Sequence, residues 1–371
     1  MKKILFIGNT ALVMNSFLKG YILELARDYD VYVLYNFATD PENLTFPDNI
    51  HLIHYDIKRK FAFSDLYFFL FLCKYFKRYQ IYASITITPK VGFVANLAAY
   101  FAGVDIRIHF FTGQIWINLL GYRRYVFKFF DKLLFYLTTY RLIDSPSQLE
   151  FLRKEGFCVD KNTFTIKYGS ICGVDTSRFY RDFAIRNKIR ASLKINDQIV
   201  LLYIGRKDVN KGILELMNAF EKIDRSDISL LLVGPDEMNL DAILKNYKSA
   251  GRIISVGMTS KPEDYYSAGD IYCYLSYREG FGLSVVEASA CELPVIGTDI
   301  VGLRDAVANN ETGFLVHRNN QSELLNIINL LVDNADLRKS IGLKGRAHVL
   351  KRFSKEFVES EFNAILKHII S

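Results

Sequence analysis

The chain has 371 residues, half of them hydrophobic, which is enough for two domains of about 150–200 residues with their own cores. Residues 1–170 contain 21 Lys and Arg against 14 Asp and Glu, whereas residues 171–371 contain 26 of each. The excess positive charge of the first part predicts an anionic partner there, such as a membrane surface or a lipid diphosphate. Nucleic acid is excluded as a partner, since no helix-turn-helix, zinc-finger or RNA-binding pattern occurs.

Cysteine spacing and hydropathy predict a cytoplasmic protein that is soluble or peripheral to a membrane. The five cysteines have no CxxC spacing and read as reduced structural thiols. The first ten residues continue as a strand and turn and do not fit a signal peptide. The most apolar run, residues 66–73, is far shorter than the roughly 20 residues that a spanning helix needs.

Short apolar strands alternate with amphipathic helices along the whole chain. The predicted strands of the first part are 3–8, 31–35, 51–55, 83–88, 106–111, 141–144 and 164–167, with helices near 14–28, 63–78, 90–102, 121–138 and 146–155. Further strands are predicted at 199–205, 230–234, 252–257, 270–275 and 294–298, with helices between them. This alternation predicts an α/β protein with two doubly wound, Rossmann-like domains facing a cleft, with boundaries at 1–172 and 173–352.

Two cations follow the predicted strand 199–205, in the segment Gly205-Arg206-Lys207-Asp208-Val209-Asn210-Lys211-Gly212. Arg206 offers a fork of donors and Lys211 a point charge, which suits the two phosphates of a nucleotide-sugar. Such cations also stabilise the negative charge that builds on a leaving diphosphate. The alternative is that both are solvated loop charges. No cluster of His and Asp has the spacing of a metal site, so no metal is expected.

Two glutamates eight residues apart, Glu279 and Glu287, flank the turn Gly280-Phe281-Gly282. A strand end, a glycine turn and a helix start place backbone N–H groups at the mouth of a pocket. Carboxylates at such a place accept hydrogen bonds from sugar hydroxyls. The alternative reading makes Glu279 a loop charge and Glu287 a carboxylate favoured by the helix dipole.

The pattern E-G-F-G-x-x-x-x-E, followed by PVIGT, GLRD and NETGFLV, resembles the donor site of the family 4 retaining glycosyltransferases. The segments IGRKDVNKG, LLVGP and ISVGM extend the resemblance, and DSPSQLEFL and YGSICGVDTSRF are similar to enzymes that build capsule, O-antigen or lipopolysaccharide. The resemblance implies the GT-B architecture, a C-terminal helix at 353–371 that returns to the first domain, and no cofactor beyond the nucleotide-sugar as co-substrate.

The resemblance also assigns roles to individual residues. Glu287 would hold the ribose hydroxyls, and Glu279 would contact the donor sugar. The remaining donor-binding positions are Gly8, Gly205, Gly234, Val256, Met258, Gly280, Phe281, Gly282 and Leu283. The nucleotide base is expected against the loops at Gly234 and at 256–258.

In the first domain, Gly8-Asn9 ends the first strand and is expected at the cleft. Where many relatives carry a His before a glycine, this chain has Thr112-Gly113, followed by Gln114. These residues are candidates for contact with the acceptor or the sugar. His109 is a further candidate, although its position inside an apolar strand favours a core histidine.

The segment 121–141 combines bulky aromatics with Arg123, Arg124, Lys128 and Lys132. Aromatics with interleaved cations are typical of an interfacial helix on anionic lipid. An amphipathic helix packed on the core is the alternative.

Together these patterns predict a retaining, metal-independent hexosyltransferase. It would transfer a sugar from a nucleotide-sugar, with UDP as the expected nucleotide, to a lipid-linked or growing surface-polysaccharide acceptor at the cytoplasmic face of the inner membrane. The alternatives are a UDP-sugar epimerase of the same architecture and a non-catalytic sugar-nucleotide-binding partner of a polysaccharide assembly complex.

Overall fold

The computed structural model describes residues 1–36, 45–58 and 62–370, and it divides into two compact units. The first unit contains Met1–Cys172 and the C-terminal segment that begins at Val358. The second unit contains Gly173–Phe357. Each unit is built on its own parallel sheet, so each has its own core.

The first unit contains a seven-stranded sheet in the order β3-β2-β1-β4-β5-β6-β7, in which every described pair is parallel. Its strands are β1 Lys3–Ile7, β2 Asp30–Tyr35, β3 Ile50–His54, β4 Ala83–Ile87, β5 Ile106–Phe111, β6 Tyr140–Ile143 and β7 Thr163–Thr165. Its helices are α1 Ala11–Val13, α2 Lys19–Leu25, α3 Ser64–Tyr79, α4 Pro89–Ala102, α5 Gly121–Leu137 and α6 Pro146–Lys154. A π-helical turn, Met14–Leu18, joins α1 to α2, and a 3₁₀ turn, Ile115–Asn118, precedes α5.

The second unit contains a six-stranded parallel sheet in the order β10-β9-β8-β11-β12-β13. Its strands are β8 Ile199–Ile204, β9 Ile228–Val233, β10 Ile253–Val256, β11 Ile271–Tyr274, β12 Val295–Thr298 and β13 Gly313–Val316. Its helices are α7 Phe183–Leu193, α8 Ile213–Glu221, α9 Leu240–Leu244, α10 Pro262–Ala268, α11 Leu283–Ala290, α12 Leu303–Ala306, α13 Gln321–Asp333 and α14 Ala335–Arg352. The 3₁₀ turns Val209–Lys211 and Lys248–Arg252 complete it.

The last helix, α15 Lys355–Ile370, packs its C-terminal part into the core of the first unit. The ring of Phe362 lies 4.3 Å from that of Tyr21 and stacks on Phe110 at 5.0 Å. The Tyr82 hydroxyl donates to the carbonyl of Ile370 at 3.2 Å. Buried aromatic contacts of this kind hold the segment after Val358 in the first unit.

Three local features differ from the predicted elements. The first helix begins at Ala11 because the Thr10 hydroxyl caps it by accepting from the N–H of Val13. The predicted strand at 83–88 ends at Ile87, since Thr88 turns to a φ of 77°. The sixth strand of the second sheet, β13, was not predicted. Within the described residues, no helix is long and apolar enough to span a membrane.

Candidate functional site

The strand order of the second sheet places two predicted site loops next to each other. The chain enters at β8, moves outward to β9 and β10, and then returns to β11 on the other side of β8. Loops that follow two such strands diverge and leave a crevice at the carboxyl edge of the sheet, where ligands bind in open α/β folds. The loop after β8 carries Arg206 and Lys211, and the loop after β11 carries Glu279.

Lys211 and Glu279 are in direct contact at this edge. The Lys211 Nζ lies 2.5 Å from Glu279 Oε1 and 3.0 Å from the hydroxyl of Tyr274. The Tyr274 hydroxyl also donates to Glu279 Oε1 at 2.8 Å. All three groups are partly or fully shielded from water, which strengthens their electrostatic interactions. Tyr274 was not predicted as a site residue.

The geometry of the first loop explains how Lys211 reaches this position. Asp208 caps the 3₁₀ turn that contains Lys211 by accepting from the N–H of Asn210 at 2.7 Å. Gly212 follows with a φ of 70°, and a Cβ there would lie 2.1 Å from the carbonyl oxygen of Leu275. Only glycine therefore lets the loop pack directly on the end of β11.

The side chains of Arg206 and Lys211 contact different residues. Its guanidinium is half exposed and pairs with Glu237 at 2.9 Å and with Asp208 at 3.6 Å. Its carbonyl accepts from the Tyr203 hydroxyl at 2.7 Å, and the Tyr203 ring stacks on that of Tyr274. The backbone of Arg206 is thus tied to the Lys211 cluster, while its side chain is paired with Asp208 of its own loop and with Glu237 of the loop after β9.

Glu287 lies in α11 and faces Tyr266 of α10. The Tyr266 hydroxyl donates to Glu287 Oε2 at 2.9 Å. Burial raises the pKa of Glu287 to about 7, against the opposing effects of the Tyr266 hydrogen bond and the charge of Arg178. The Arg178 charge is shared with Glu263, to which it is paired at 2.8 Å. This carboxyl therefore changes its charge near neutral pH, unlike a solvated glutamate.

The other predicted donor positions lie along the same edge. Phe281 is buried against Phe353 at 5.0 Å, so only its backbone is available to a ligand. Gly282 directly precedes α11 and Leu283 begins it, and first-turn N–H groups of a helix have no partner within the helix. The Gly280 carbonyl is approached so closely by Gly302 that a Cβ on Gly302 would lie 2.6 Å away.

The loops after β9 and β10 meet the loop after β8 at the same edge. Gly234 donates to the carbonyl of Val256 at 3.1 Å, and a Cβ on it would lie 2.0 Å from the oxygen of Gly205. Met258 is exposed two residues beyond Val256. Gly234, Val256 and Met258 belong to the loops where the sequence analysis expects the nucleotide base.

Most of the second unit matches a known protein family. Residues 185–348 match the family described as Glycosyl transferases group 1. The second unit carries a group 1 glycosyltransferase domain. The Lys211–Glu279 pair and Glu287 all lie inside the matched residues.

Two relatives match most of the chain. The capsular polysaccharide biosynthesis glycosyltransferase CapM of Staphylococcus aureus is 28% identical over 92% of this chain and 91% of its own length. The N,N'-diacetylbacillosaminyl-diphospho-undecaprenol alpha-1,3-N-acetylgalactosaminyltransferase of Campylobacter jejuni is 23% identical over 81% of each. The chain is thus related to polysaccharide biosynthesis enzymes outside the group 1 domain as well as within it.

Solved structures share the whole architecture. The sucrose-phosphate synthase of Thermosynechococcus elongatus superposes with a TM-score of 0.82 at 20% identity, covering 100% of this chain and 99% of the other. Anabaena Alr3699/HepE in complex with UDP-glucose gives a TM-score of 0.80 at 17% identity, covering 99% and 100%. Two Rossmann-like domains with parallel sheets of seven and six strands make this a GT-B fold, as predicted.

Beside the predicted residues, the group 1 domain contains a buried lysine that the sequence did not single out. Lys207 donates from Nζ to the Ser255 hydroxyl at 2.8 Å and to the Val256 carbonyl at 2.9 Å. Its backbone bonds to Pro235 and Glu237, so it joins the loops after β8, β9 and β10. Burial lowers the pKa of Lys207. In sequence, the adjacent pair Arg206-Lys207 gave no sign of which cation points inward.

In the first unit, the corresponding edge carries unsatisfied polar groups. Gly8 and Asn9 follow β1, and Thr88 follows β4, its neighbour in the sheet. Asn9 Oδ1 and Thr88 Oγ1 are buried, and neither has a hydrogen-bond partner among the described residues. Thr88 is β-branched yet adopts a φ of 77°, a strained conformation that is often found at functional sites. The Thr88-Pro89 dipeptide was the only sequence signal for it.

Two of the predicted sugar or acceptor contacts at 109–114 are buried within the first unit. His109 is fully buried in β5, as favoured from its apolar strand, with Nδ1 2.7 Å from the Thr86 hydroxyl, and burial lowers its pKa to about 3. Gln114 is also buried and accepts from the side chain of Gln148. Thr112 and Gly113 are only partly buried. Contact of these residues with the acceptor or the sugar stays a prediction.

Three of the cations that were predicted as membrane contacts on α5 have partners within the protein, and membrane contact stays a prediction. Arg124 and Lys128 pair with the two oxygens of Glu155 at 2.7 and 2.6 Å, and both lie over the ring of Trp116. Lys132 lies over the ring of Phe157 and is exposed, as is Arg123.

None of the described residues form a group of three or more His, Cys, Asp or Glu placed to hold an ion.

Proposed function

We propose that the protein is a retaining family 4 glycosyltransferase that moves a sugar from a UDP-linked donor to a lipid-linked saccharide of a bacterial surface polysaccharide. The observation that carries the proposal is the contact of Lys211 with Glu279 at the switch point of a group 1 glycosyltransferase domain. We assign the cation of this pair to the diphosphate and the carboxylate to the sugar, the two parts that separate when a nucleotide-sugar is cleaved.

In this proposal Lys211 acts on the leaving group. As the bond between sugar and diphosphate breaks, negative charge grows on the diphosphate, and a cation already in place stabilises it without reorganisation. Arg206, with its fork of donors, assists when the diphosphate displaces water from its exposed side. No metal is assigned a role, because these two cations supply the charge.

Glu279 positions the sugar and Lys211 in the same proposal. Its Oε1 already accepts two hydrogen bonds, from Lys211 and Tyr274, which lowers its power as a nucleophile. We therefore assign retention of configuration to a front-face path, in which the acceptor attacks on the side that the leaving group vacates. Glu287 accepts from the ribose hydroxyls, and the loops at Gly234 and Val256 receive the base.

Donor and acceptor are proposed from relatives. Anabaena Alr3699/HepE binds UDP-glucose in a structure that shares the fold, and the Campylobacter jejuni relative is named for an undecaprenol-linked acceptor. We assign the acceptor to the first unit, at the edge that carries Asn9, Thr88 and Thr112. A lipid-linked acceptor implies peripheral attachment at the cytoplasmic face of the membrane.

A panel of nucleotide-sugars tests the proposal. A true donor at about 100 times its dissociation constant adds roughly 2.7 kcal/mol to the free energy of unfolding. A UDP-sugar should raise the melting temperature, and addition of a polyprenyl-diphosphate saccharide should then release UDP with an unchanged anomeric configuration in the product. Conversion of the donor to an epimer without acceptor would contradict transfer, and binding without turnover would indicate a non-catalytic partner.

A further inference from the structure

Exposed aromatic and aliphatic side chains cover neighbouring helices of the first unit. We define the aromatic surface by the outward side chains of α3, α4 and α5: Tyr67, Leu70, Phe101, Tyr122, Tyr125 and Phe129. Each is between 53% and 74% exposed. Monomeric soluble proteins rarely expose apolar groups in such a cluster, and larger patches mark sites of interaction.

Helical spacing separates the two faces of α5. Tyr122, Tyr125 and Phe129 are three and four residues apart and share one face. Arg124 and Lys128 lie on the face that is paired with Glu155 and packed on Trp116. The helix therefore turns Arg124 and Lys128 towards Glu155 and Trp116 and these three rings away from them, while Arg123 and Lys132 are exposed.

Ring contacts connect the three helices. Phe69 of α3 meets Phe101 of α4 edge to face at 6.0 Å. Phe93 of α4 meets Phe130 of α5 at 5.4 Å, and Phe130 adjoins Phe129 at 5.9 Å. The exposed rings are thus anchored on partly buried ones, which keeps them in place without a partner.

Acidic side chains are absent from this outward face. The helices α3, α4 and α5, all of whose residues lie in the described part of the chain, contain only two acidic residues. Asp65 pairs with Lys90 at 2.7 Å, and Asp131 accepts from the Trp116 indole at 2.7 Å. By contrast, Lys74 and Lys77 continue the outward row of α3 and are exposed.

We infer that the aromatic surface is a membrane-docking face that inserts Tyr and Phe rings into the interface of an anionic bilayer. Aromatic rings prefer the headgroup level, and flanking cations complement anionic lipid. A contact with a second copy through this surface would bring together two basic surfaces without acidic partners and is disfavoured by charge. The inference rests on the proposed function in one respect: a lipid-linked acceptor would be held in the membrane to which this surface binds.

Insertion differs from electrostatic adsorption in its response to salt. Salt at about 1 M reduces the screening length to about 3 Å and removes attraction between a basic surface and anionic lipid. Insertion of rings depends on apolar area and persists. The test is sedimentation with vesicles of phosphatidylcholine and phosphatidylglycerol at low and high salt, without donor or acceptor.

The variant Tyr125→Ser/Phe129→Ser removes two outward rings and no contact of the core. Its partition onto vesicles should fall roughly tenfold or more. The control Leu343→Ser/Leu350→Ser removes two exposed apolar side chains, 48% and 47% exposed, from α14 and should sediment like the wild type. UDP binding and the melting temperature, measured on the same samples, show that each variant is folded.

The wild type should stay on vesicles at about 1 M salt. Complete release by salt, or equal sedimentation of the wild type and the aromatic variant, would overturn insertion. The wild type could instead fail to bind vesicles and form a dimer that the aromatic variant abolishes. That result would assign the surface to a second copy and would also overturn membrane docking. Because UDP binding is read separately, loss of vesicle binding alone leaves the proposed transfer untouched.

Discussion

Lys211 and Glu279 are 68 residues apart in sequence, yet their side chains form an ion pair of 2.5 Å at the carboxyl edge of the second sheet. The charge of Lys211 is therefore partly neutralised by Glu279, and a diphosphate competes with Glu279 for that charge. In the proposed function we therefore expect Glu279 to moderate binding of the nucleotide while it holds Lys211 in position for turnover.

Glu279→Gln should separate these two effects. The neutral amide no longer neutralises Lys211 or repels phosphate, so the Kd for UDP should fall several-fold. The rate of transfer should fall about 10²–10³-fold, because an oriented charged group at the reaction centre is lost. Calorimetric titration with UDP and a transfer assay measure the two quantities. Weaker UDP binding would contradict the competition between carboxylate and diphosphate.

Tyr274→Phe should lower the transfer rate about tenfold, since the hydroxyl that bonds both Lys211 and Glu279 is removed while the ring stays stacked on Tyr203. Tyr272→Phe is the matched control. It removes a hydroxyl from the same strand, where that hydroxyl donates to the carbonyl of Ile204. Initial rates at saturating donor compare the two. An equal loss of transfer rate in both variants would mean that the Tyr274 hydroxyl has no specific role at the site.

Uridine affinity should depend on pH through Glu287. Its pKa of about 7 in the free protein means that the carboxylate, which accepts from ribose, is mostly absent at pH 6 and mostly present at pH 8. The apparent Kd for uridine should therefore be about tenfold weaker at pH 6 than at pH 8. Uridine is the chosen ligand because it carries no phosphate that titrates in this range. In Glu287→Gln the dependence should vanish, and its persistence would point to another group.

Thr88→Gly should stabilise the first unit and impair transfer. A β-branched residue at a φ of 77° stores strain of about 1–3 kcal/mol, which glycine releases, although glycine also adds entropy to the unfolded chain. We expect a net gain of about 1 kcal/mol in thermal unfolding. Gln80→Gly, at a φ of 51° in an unbranched residue at the end of α3, is the control and should gain less. An unchanged transfer rate in Thr88→Gly would contradict the assignment of Thr88 to the acceptor site.

Most of the fold was predictable because parallel strands in this chain are continuous apolar runs. The strand at 106–111 and the helix at 121–137 were placed almost to the residue. The strand β13 was missed because four residues, Gly313–Val316, with one glycine, carry too little periodicity to be recognised. The first helix begins at Ala11, before the predicted start near residue 14, because the Thr10 side chain caps it.

The sequence indicated which residues belong to the candidate site, but it did not show which of their side chains contact one another. Glycine-bounded loops pointed to Lys211 and Glu279, but their contact depends on β11 lying next to β8, and strand order is not written in local sequence. Tyr274 looked like a core residue because its ring is buried and only its hydroxyl reaches the site.

Two kinds of contact could not be predicted from the sequence. Gln114 follows a strand that is buried on both faces, so alternation could not show where its side chain points. Arg124 and Lys128 were separated from Glu155 by a helix and a strand, and only the folded chain shows that this carboxylate neutralises both.

The most direct test of the Lys211 assignment is a double titration of wild type and Lys211→Ala with UDP and with uridine. Lys211 is assigned to the diphosphate and to nothing else in the nucleotide. The variant should therefore bind UDP at least about tenfold more weakly and bind uridine with unchanged Kd, a difference of about 1.4 kcal/mol or more carried by the phosphates. Equal weakening of both ligands, or of neither, would contradict the diphosphate site at the Lys211–Glu279 pair.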